Sequence, residues 1–189
     1  MNLEAMTNLE IRPEVREKLI YNLHRIEDHD QATAEHCVRV GLLAAEVSGI
    51  HRGILAEMGF MHDMGKISVD ACLLNVASVT TEQYAAIKVH TRAGYALLKD
   101  ELPYSACAAG KHHPSYAVQE YPISLNGRER ELIARYVPII TLCDFYDALT
   151  TRNTAKYSYI DRKDPVQVRA ALEQQFPEQK QNIAKIIRE

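Results

Sequence analysis

Met61-His62-Asp63-Met64-Gly65-Lys66 is the stretch of this chain that decides how the remainder is read. It sets an imidazole beside a carboxylate and puts a lysine one turn further on. Imidazole suits zinc, iron, manganese or nickel, and a carboxylate has lone pairs enough to bridge two metals. The lysine stands where its charge could neutralise an anion docked on those metals. A His-Asp pair by itself is commonly a surface accident, so the residues that accompany it carry the argument.

Helical periodicity runs through the chain and strand-like alternation is nearly absent, which predicts an all-α fold. The first helix is expected from Pro13 to about Ile26, with Glu27-Asp28-His29-Asp30 as a connection. His36, Val40, Leu43 and Val47 form one stripe of a second helix over about Ala32 to Ser48, so His36 faces the core. A third helix over Arg52 to Met64 delivers His62 and Asp63 near its end, and Ile67 to Leu74 reads as a short helix or turn packing apolar residues beneath the site. Thr80 and Gln83 form a capping box for a long helix from Thr81 to Lys99, on which Ile87, His90, Gly94 and Leu97 share a face. Gly94 leaves room there for a ligand or a neighbouring helix.

Pro103 opens a helix that ends at Gly110, and Lys111-His112-His113-Pro114 follows. At a helix end beside a proline, adjacent histidines can turn toward one point. Ser115 to Gly127, holding Tyr116, Tyr121 and Pro122, lacks helical period and is a candidate lid or substrate wall. Short helical turns over Arg128 to Tyr136 are expected to lead to Pro138, which starts a helix over Ile139 to Thr150. Asp144 emerges there from an apolar run, where a buried carboxylate needs a metal or an arginine. Asp147 stands ready to support a metal ligand or to cap a neighbouring helix. Tyr121 and Arg152, the latter in the polar stretch Thr150 to Tyr159, are candidate substrate contacts, and two amphipathic helices interrupted at Pro177 complete the chain as a packing layer.

The candidate set is therefore His36, His62, Asp63, His90, His112, His113 and Asp144, which uses five of the eight histidines. His24, His29 and His51 fall in no such pattern and read as solvated. Five helical segments that bring these residues to one bundle core predict a metal site. The 189 residues fit a single domain over 1–189, with a motif-bearing core over about 32–152 and the C-terminal helices 164–188 packed on it. With 22 basic residues against 25 acidic ones, a formal charge of −3 and no basic stripe, a nucleic-acid polymer is not an expected partner. No apolar run is long enough for a membrane and no signal segment is visible, so a cytoplasmic protein is expected. Cysteines 37, 72, 107 and 143 form no CxxC and read as reduced, buried thiols. Apolar faces on the first and last helices suggest a homodimer.

The order and spacing from Glu35 to Asp147 resemble the HD-domain metal-dependent phosphohydrolases, and more narrowly their HD-GYP branch. The match runs through Glu35-His36-Cys37-Val38-Arg39-Val40, Gly59 to Ile67, Lys88-Val89-His90-Thr91-Arg92-Ala93-Gly94, His112-His113 and Asp144-Phe145-Tyr146-Asp147-Ala148-Leu149-Thr150. The resemblance implies an all-helical HD bundle with two divalent metals bridged by Asp63. It implies that His36, His62, Asp63 and Asp144 hold one ion and that Asp63, His90, His112 and His113 hold the other, with Lys66 on a substrate phosphate. Iron or manganese is the expected metal, with nickel, zinc or magnesium as substitutes. Ala32 stands where some members carry a glutamate for a third metal. Where the branch has a glycine before Tyr-Pro this chain has Glu120, and where an acidic-glycine pair is usual it has Ala117-Val118.

These readings converge on a phosphohydrolase in which a water between two metals, activated by Asp63 and aided by Lys66, cleaves a phosphoester in a nucleotide or cyclic dinucleotide. Two alternatives stand beside it. One is a nucleotide-binding signalling module without turnover, and the other a di-iron oxygenase on the same cage.

Overall fold

Asp30 makes the first turn of the chain in the computed structural model, which describes residues 6–76, 78–151, 160–162 and 164–187. Its extended backbone ends α1 (Pro13–His29), and its side chain accepts from Thr33 N as the N-cap of α2 (Gln31–Ser48). The stretch Glu27 to His29, expected as a connection, is therefore the last turn of a helix, and one aspartate serves as the whole joint. The remaining helices are α3 (Arg52–Met61), α4 (Thr81–Lys88), α5 (His90–Leu98), α6 (Pro103–Lys111), α7 (Gly127–Thr151), α8 (Pro165–Gln175) and α9 (Lys180–Ile186), with short 3-10 turns between several of them. The described residues contain no strand, so the fold is all-α.

Two close approaches position the site. A Cβ at Gly59 on α3 would lie 2.6 Å from Gly41 Cα on α2, so these two helices touch backbone to backbone. A Cβ at Gly65, in the 3-10 turn Met64–Ser68 that follows Asp63, would lie 1.8 Å from the His90 carbonyl oxygen. Gly94 faces the same turn from α5, since its own Cβ would come within 3.0 Å of Gly65 N. The room left by Gly94 is thus filled by neighbouring backbone, and the Asp63 segment is pressed against the helix that carries His90.

Several expected boundaries move for identifiable reasons. The helix over Thr81 to Lys99 is interrupted at Val89, and the capping box of Thr80 with Gln83 is present as expected. Helix α7 runs unbroken through Pro138 rather than starting there. Ile133, Tyr136, Val137 and Ile140 are buried on both sides of the proline, and Gln179 Nε2 donates to the Pro138 carbonyl at 2.8 Å. Packing of both flanks offsets the hydrogen bond that proline removes. Of the stretch Ile67 to Leu74, Val69 is buried and Ile67 packs on the core as expected, whereas the 3-10 turn Ala71–Leu73 carries no buried residue; Cys72 is exposed, and Cys37, Cys107 and Cys143 are buried.

The apolar faces expected to support a dimer are consumed within the chain. Val15, Leu19, Leu23 and Ile26 of α1 are buried in one core with Cys37, Phe60 and Met61, while Ile183 and Ile186 of α9 join a second core with Ile133, Ile140 and Leu172. No described helix is long and apolar enough to cross a membrane.

Glu57 is a carboxyl buried between α3 and α6, where Ser105 Oγ donates to its Oε1 at 3.0 Å. Burial pushes it from 4.5 up to about 7, only partly countered by Ser105. The unfolded chain then releases this proton at lower pH than the native one, so stability falls as pH rises from 4.5 to about 7 and stays at the lower level above that. Glu57→Gln keeps the Ser105 bond and should gain about 2 kcal/mol more over the wild type at pH 8 than at pH 5 in denaturant melts. Gly65→Ala must push the Asp63 turn off α5 and should cost about 1–3 kcal/mol in the same measurement at fixed pH.

Candidate metal centre

Three of the candidate histidines stand where helices end. His62 follows α3 directly and its Nδ1 donates to Gly59 O at 2.8 Å, while His112 follows α6 and donates to Ala108 O at 2.9 Å. His90, beyond the break after α4, donates from Nδ1 to Ile87 O at 2.7 Å. Carbonyls of a last helical turn keep a lone pair open to such donors, and those of Ile87 and Ala108 accept a ring N–H beside the backbone N–H groups of Val89 and His112. A carbonyl can only accept, so the proton of each ring is fixed on Nδ1 and the Nε2 lone pair points the other way.

His36 sits inside α2, where backbone carbonyls are already engaged, and takes its acceptor from another helix. Its Nδ1 donates to Asp147 Oδ2 on α7 at 2.6 Å. Arg39 fixes that carboxylate, Nε to Oδ1 at 2.7 Å and Nη2 to Oδ2 at 3.0 Å. Burial would raise the Asp147 carboxyl, but His36 and Arg39 outweigh it and hold it at about 2. Of the two roles expected for Asp147, support of a candidate ligand is the one this bond fits. Arg39 stands in the sequence only as part of the matched stretch and carries no role there, although its place one turn after His36 is a signal for one.

The Nε2 atoms converge in two groups around Asp63. His36 and His62 bring theirs to 3.2 Å of each other, and His36 Nε2 lies 3.0 Å from Asp144 Oδ1. His90 and His112 bring theirs to 3.4 Å, and His113 joins that group. Asp63 divides its oxygens between them. Its Oδ2 lies 3.3 Å from His62 Nε2 and 3.6 Å from His36 Nε2, whereas its Oδ1 lies 3.5 Å from His90 Nε2 and 3.7 Å from His112 Nε2. The Oδ1 atom is buried without a hydrogen-bond partner.

Lone pairs facing one another in a buried space require a positive charge between them. A proton on His62 Nε2 is one way to supply it: burial would lower that imidazole, but the carboxylates of Asp63 and Asp144 reverse this and push it up to about 10, and a bound cation would take that proton's place. Burial drives His90 down to about 4 and His113 to about 2. Burial would raise Asp63 too, yet Lys66 and His62 hold it well below the usual carboxylate range. The donor set of imidazoles and carboxylates with an orphaned oxygen between them fits a pair of divalent cations.

Lys66 is only 8% exposed and donates a hydrogen bond from Nζ to Asp63 Oδ2. Tyr121 lies apart from the cluster: Lys111 Nζ sits 4.2 Å from its ring centroid, and the ring lines a cavity of about 670 Å³ with Arg92, Tyr95 and Lys99. Tyr116 is the tyrosine beside the histidines, its ring centroid 5.0 Å from His113 and 6.4 Å from His90. Nothing in the local pattern separated the two tyrosines. The segment expected as a lid is tied to α6, with Lys111 Nζ donating to Val118 O at 2.6 Å and Gln119 O at 3.0 Å. Arg152 lies outside the described residues. His24, His29 and His51 stand outside the cluster and pair with Glu27, the Val69 carbonyl and the Tyr136 hydroxyl.

Residues 33–149 match the HD domain family, a span that contains every candidate ligand. The chain belongs to the HD domain family. Its relatives include the cyclic di-GMP phosphodiesterase response regulator RpfG of Xanthomonas campestris pv. campestris, 32% identical over 83% of this chain and 43% of that protein. A cyclic di-GMP phosphodiesterase of Thermotoga maritima is 31% identical over 69% of this chain and 38% of its own length. A 3'3'-cGAMP-specific phosphodiesterase of Vibrio cholerae is 32% identical over 62% and 27%. This HD domain thus spans less than half the length of these curated relatives, whose names agree with the HD-GYP branch. No solved structure matches it significantly.

Asp147→Ala removes the acceptor that aims His36 and should weaken metal retention about 10- to 100-fold while the fold survives. Metal content after graded chelation, read beside far-UV circular dichroism, checks this.

Proposed function

We propose that this HD domain is a metal-dependent phosphodiesterase whose substrate is a cyclic dinucleotide. One observation carries the reading: Asp63 offers one oxygen to each of two histidine groups, an arrangement a carboxylate shared by two cations could use. Such a pair of ions supplies Lewis acidity and an acidic water for attack on phosphorus. The cyclic di-GMP and 3'3'-cGAMP activities named for the relatives support the substrate class. The mixed nitrogen and oxygen donors suit iron or manganese, and free thiols suit a reducing cytoplasm.

The chain's own residues have separable tasks. His36 and His62 with Asp144 would hold one ion, and His90, His112 and His113 the other, with Asp63 between them. Asp147 and Arg39 keep His36 turned inward. Lys66 spends one proton on Asp63 Oδ2 and has two more to offer a phosphate oxygen. Its charge also keeps Asp63 ionised.

A second reading, binding of a nucleotide without turnover, is favoured by Glu120, a carboxylate in the groove beside α4 and α5 where phosphate would approach. Protein loaded anaerobically with manganese or iron separates the two when offered cyclic di-GMP and 3'3'-cGAMP, with products resolved by chromatography. The phosphodiesterase reading expects linear dinucleotide or mononucleotide. Asp63→Ala should lose metal and at least about 100-fold of the turnover together. Normal metal content and rate in that variant would remove Asp63 from the centre.

A further inference from the structure

Two cations near the cluster have no part in holding it. Lys88, half-buried at the end of α4, places Nζ 4.7 Å from the Tyr84 ring centroid and 5.8 Å from that of Tyr116. Arg92 follows one turn later on α5, and both line a cavity of about 360 Å³ between the α4–α5 junction and the segment Tyr116 to Glu120. Tyr116 is the partition, since the same ring that lines this cavity packs on His113 and His90.

Among the described residues no carboxylate lies within ion-pair distance of Lys88 or Arg92. Two like charges four positions apart repel unless an anion lies between them. The aromatic faces hold the Lys88 ammonium by cation–π attraction and leave its N–H groups free for an oxygen ligand. The charged side chains that line the cavity are these two cations and Glu120. The volume is at the lower end for a ligand site and suits part of a dinucleotide rather than all of it.

We propose that this groove is a second phosphate subsite, in which Lys88 and Arg92 bind the phosphate of a cyclic dinucleotide that is not being cleaved while the other phosphate lies at Asp63. The assignment rests on the phosphodiesterase reading and adds a reason for the substrate class. A nucleoside monophosphate has one phosphate and would leave these cations unanswered.

The test compares cyclic di-GMP with bis(p-nitrophenyl) phosphate, a diester with a single phosphorus, for wild type, Lys88→Met, Arg92→Met and Lys88→Arg. Each methionine variant should raise KM for cyclic di-GMP by about 10-fold or more, in line with loss of a charge-assisted bond, and affect the simple diester several-fold less. Lys88→Arg should recover most of the loss. Equal losses on both substrates, or an unchanged KM for cyclic di-GMP, would overturn the subsite. A second arm measures equilibrium binding of a phosphorothioate analogue of cyclic di-GMP to manganese-loaded protein. If the wild type hydrolyses neither diester, the phosphodiesterase reading falls, and weaker analogue binding by Lys88→Met still supports the groove. Identical binding by wild type and variant, or none by either, refutes it.

Discussion

The site depends on how a helix ends. The carbonyls that close an α-helix keep acceptor capacity that its interior has used, and this chain places His62 and His112 directly after such ends and His90 just beyond a third, at the start of α5. Each ring donates to a carbonyl of the turn before it, at Gly59, Ile87 and Ala108, the last two of which also accept the backbone N–H groups of Val89 and His112. One bond thereby caps the helix, selects the tautomer and aims a nitrogen lone pair into the bundle. The orientation of these three side chains follows from secondary structure, and tertiary packing has only to bring the helix ends together. The glycine contacts between α2 and α3, and between the Asp63 turn and α5, bring them there.

His36 is the exception that shows the rule. Lying within a helix, it has no spare carbonyl and depends on a carboxylate far along the chain, held by an arginine on its own helix. That arrangement ties α2 to α7 and makes the His36 group sensitive to the packing of the C-terminal half. The opposite group draws its acceptors from α4 and α6 alone.

Much of this was legible in the sequence because the signals were local. The stripe through His36, the capping box at Thr80, the histidine pair before Pro114 and the acids of Asp144-Phe145-Tyr146-Asp147 each lie within a few turns, and each stands where its spacing placed it. What escaped depended on contacts between distant segments. Pro138 read as a helix start because a proline alone gives no sign that both of its flanks will be buried. Tyr116 gave no local sign of its place beside the histidines, which depends on how its segment folds back over α6, where Lys111 holds the carbonyls of Val118 and Gln119. An amphipathic helix likewise does not announce whether its cover is its own chain, and the stripes through Leu19 and Leu23 of α1 and Ile183 of α9 are covered by theirs.

Cys37 and Cys143 adjoin His36 and Asp144 in sequence, yet both are buried in the apolar cores, because successive helical residues point about 100° apart. Burial raises the Cys143 thiol far above its ordinary range, so it stays protonated and unreactive. Sulfur is thus kept within a residue of the cage and out of its coordination sphere. Thiophilic ions such as copper(I) or cadmium would meet only nitrogen and oxygen there, and would reach those thiols only by opening the bundle. The ligand type offered at the cluster is in this way set by helical geometry, which turns the two sulfurs into the apolar cores.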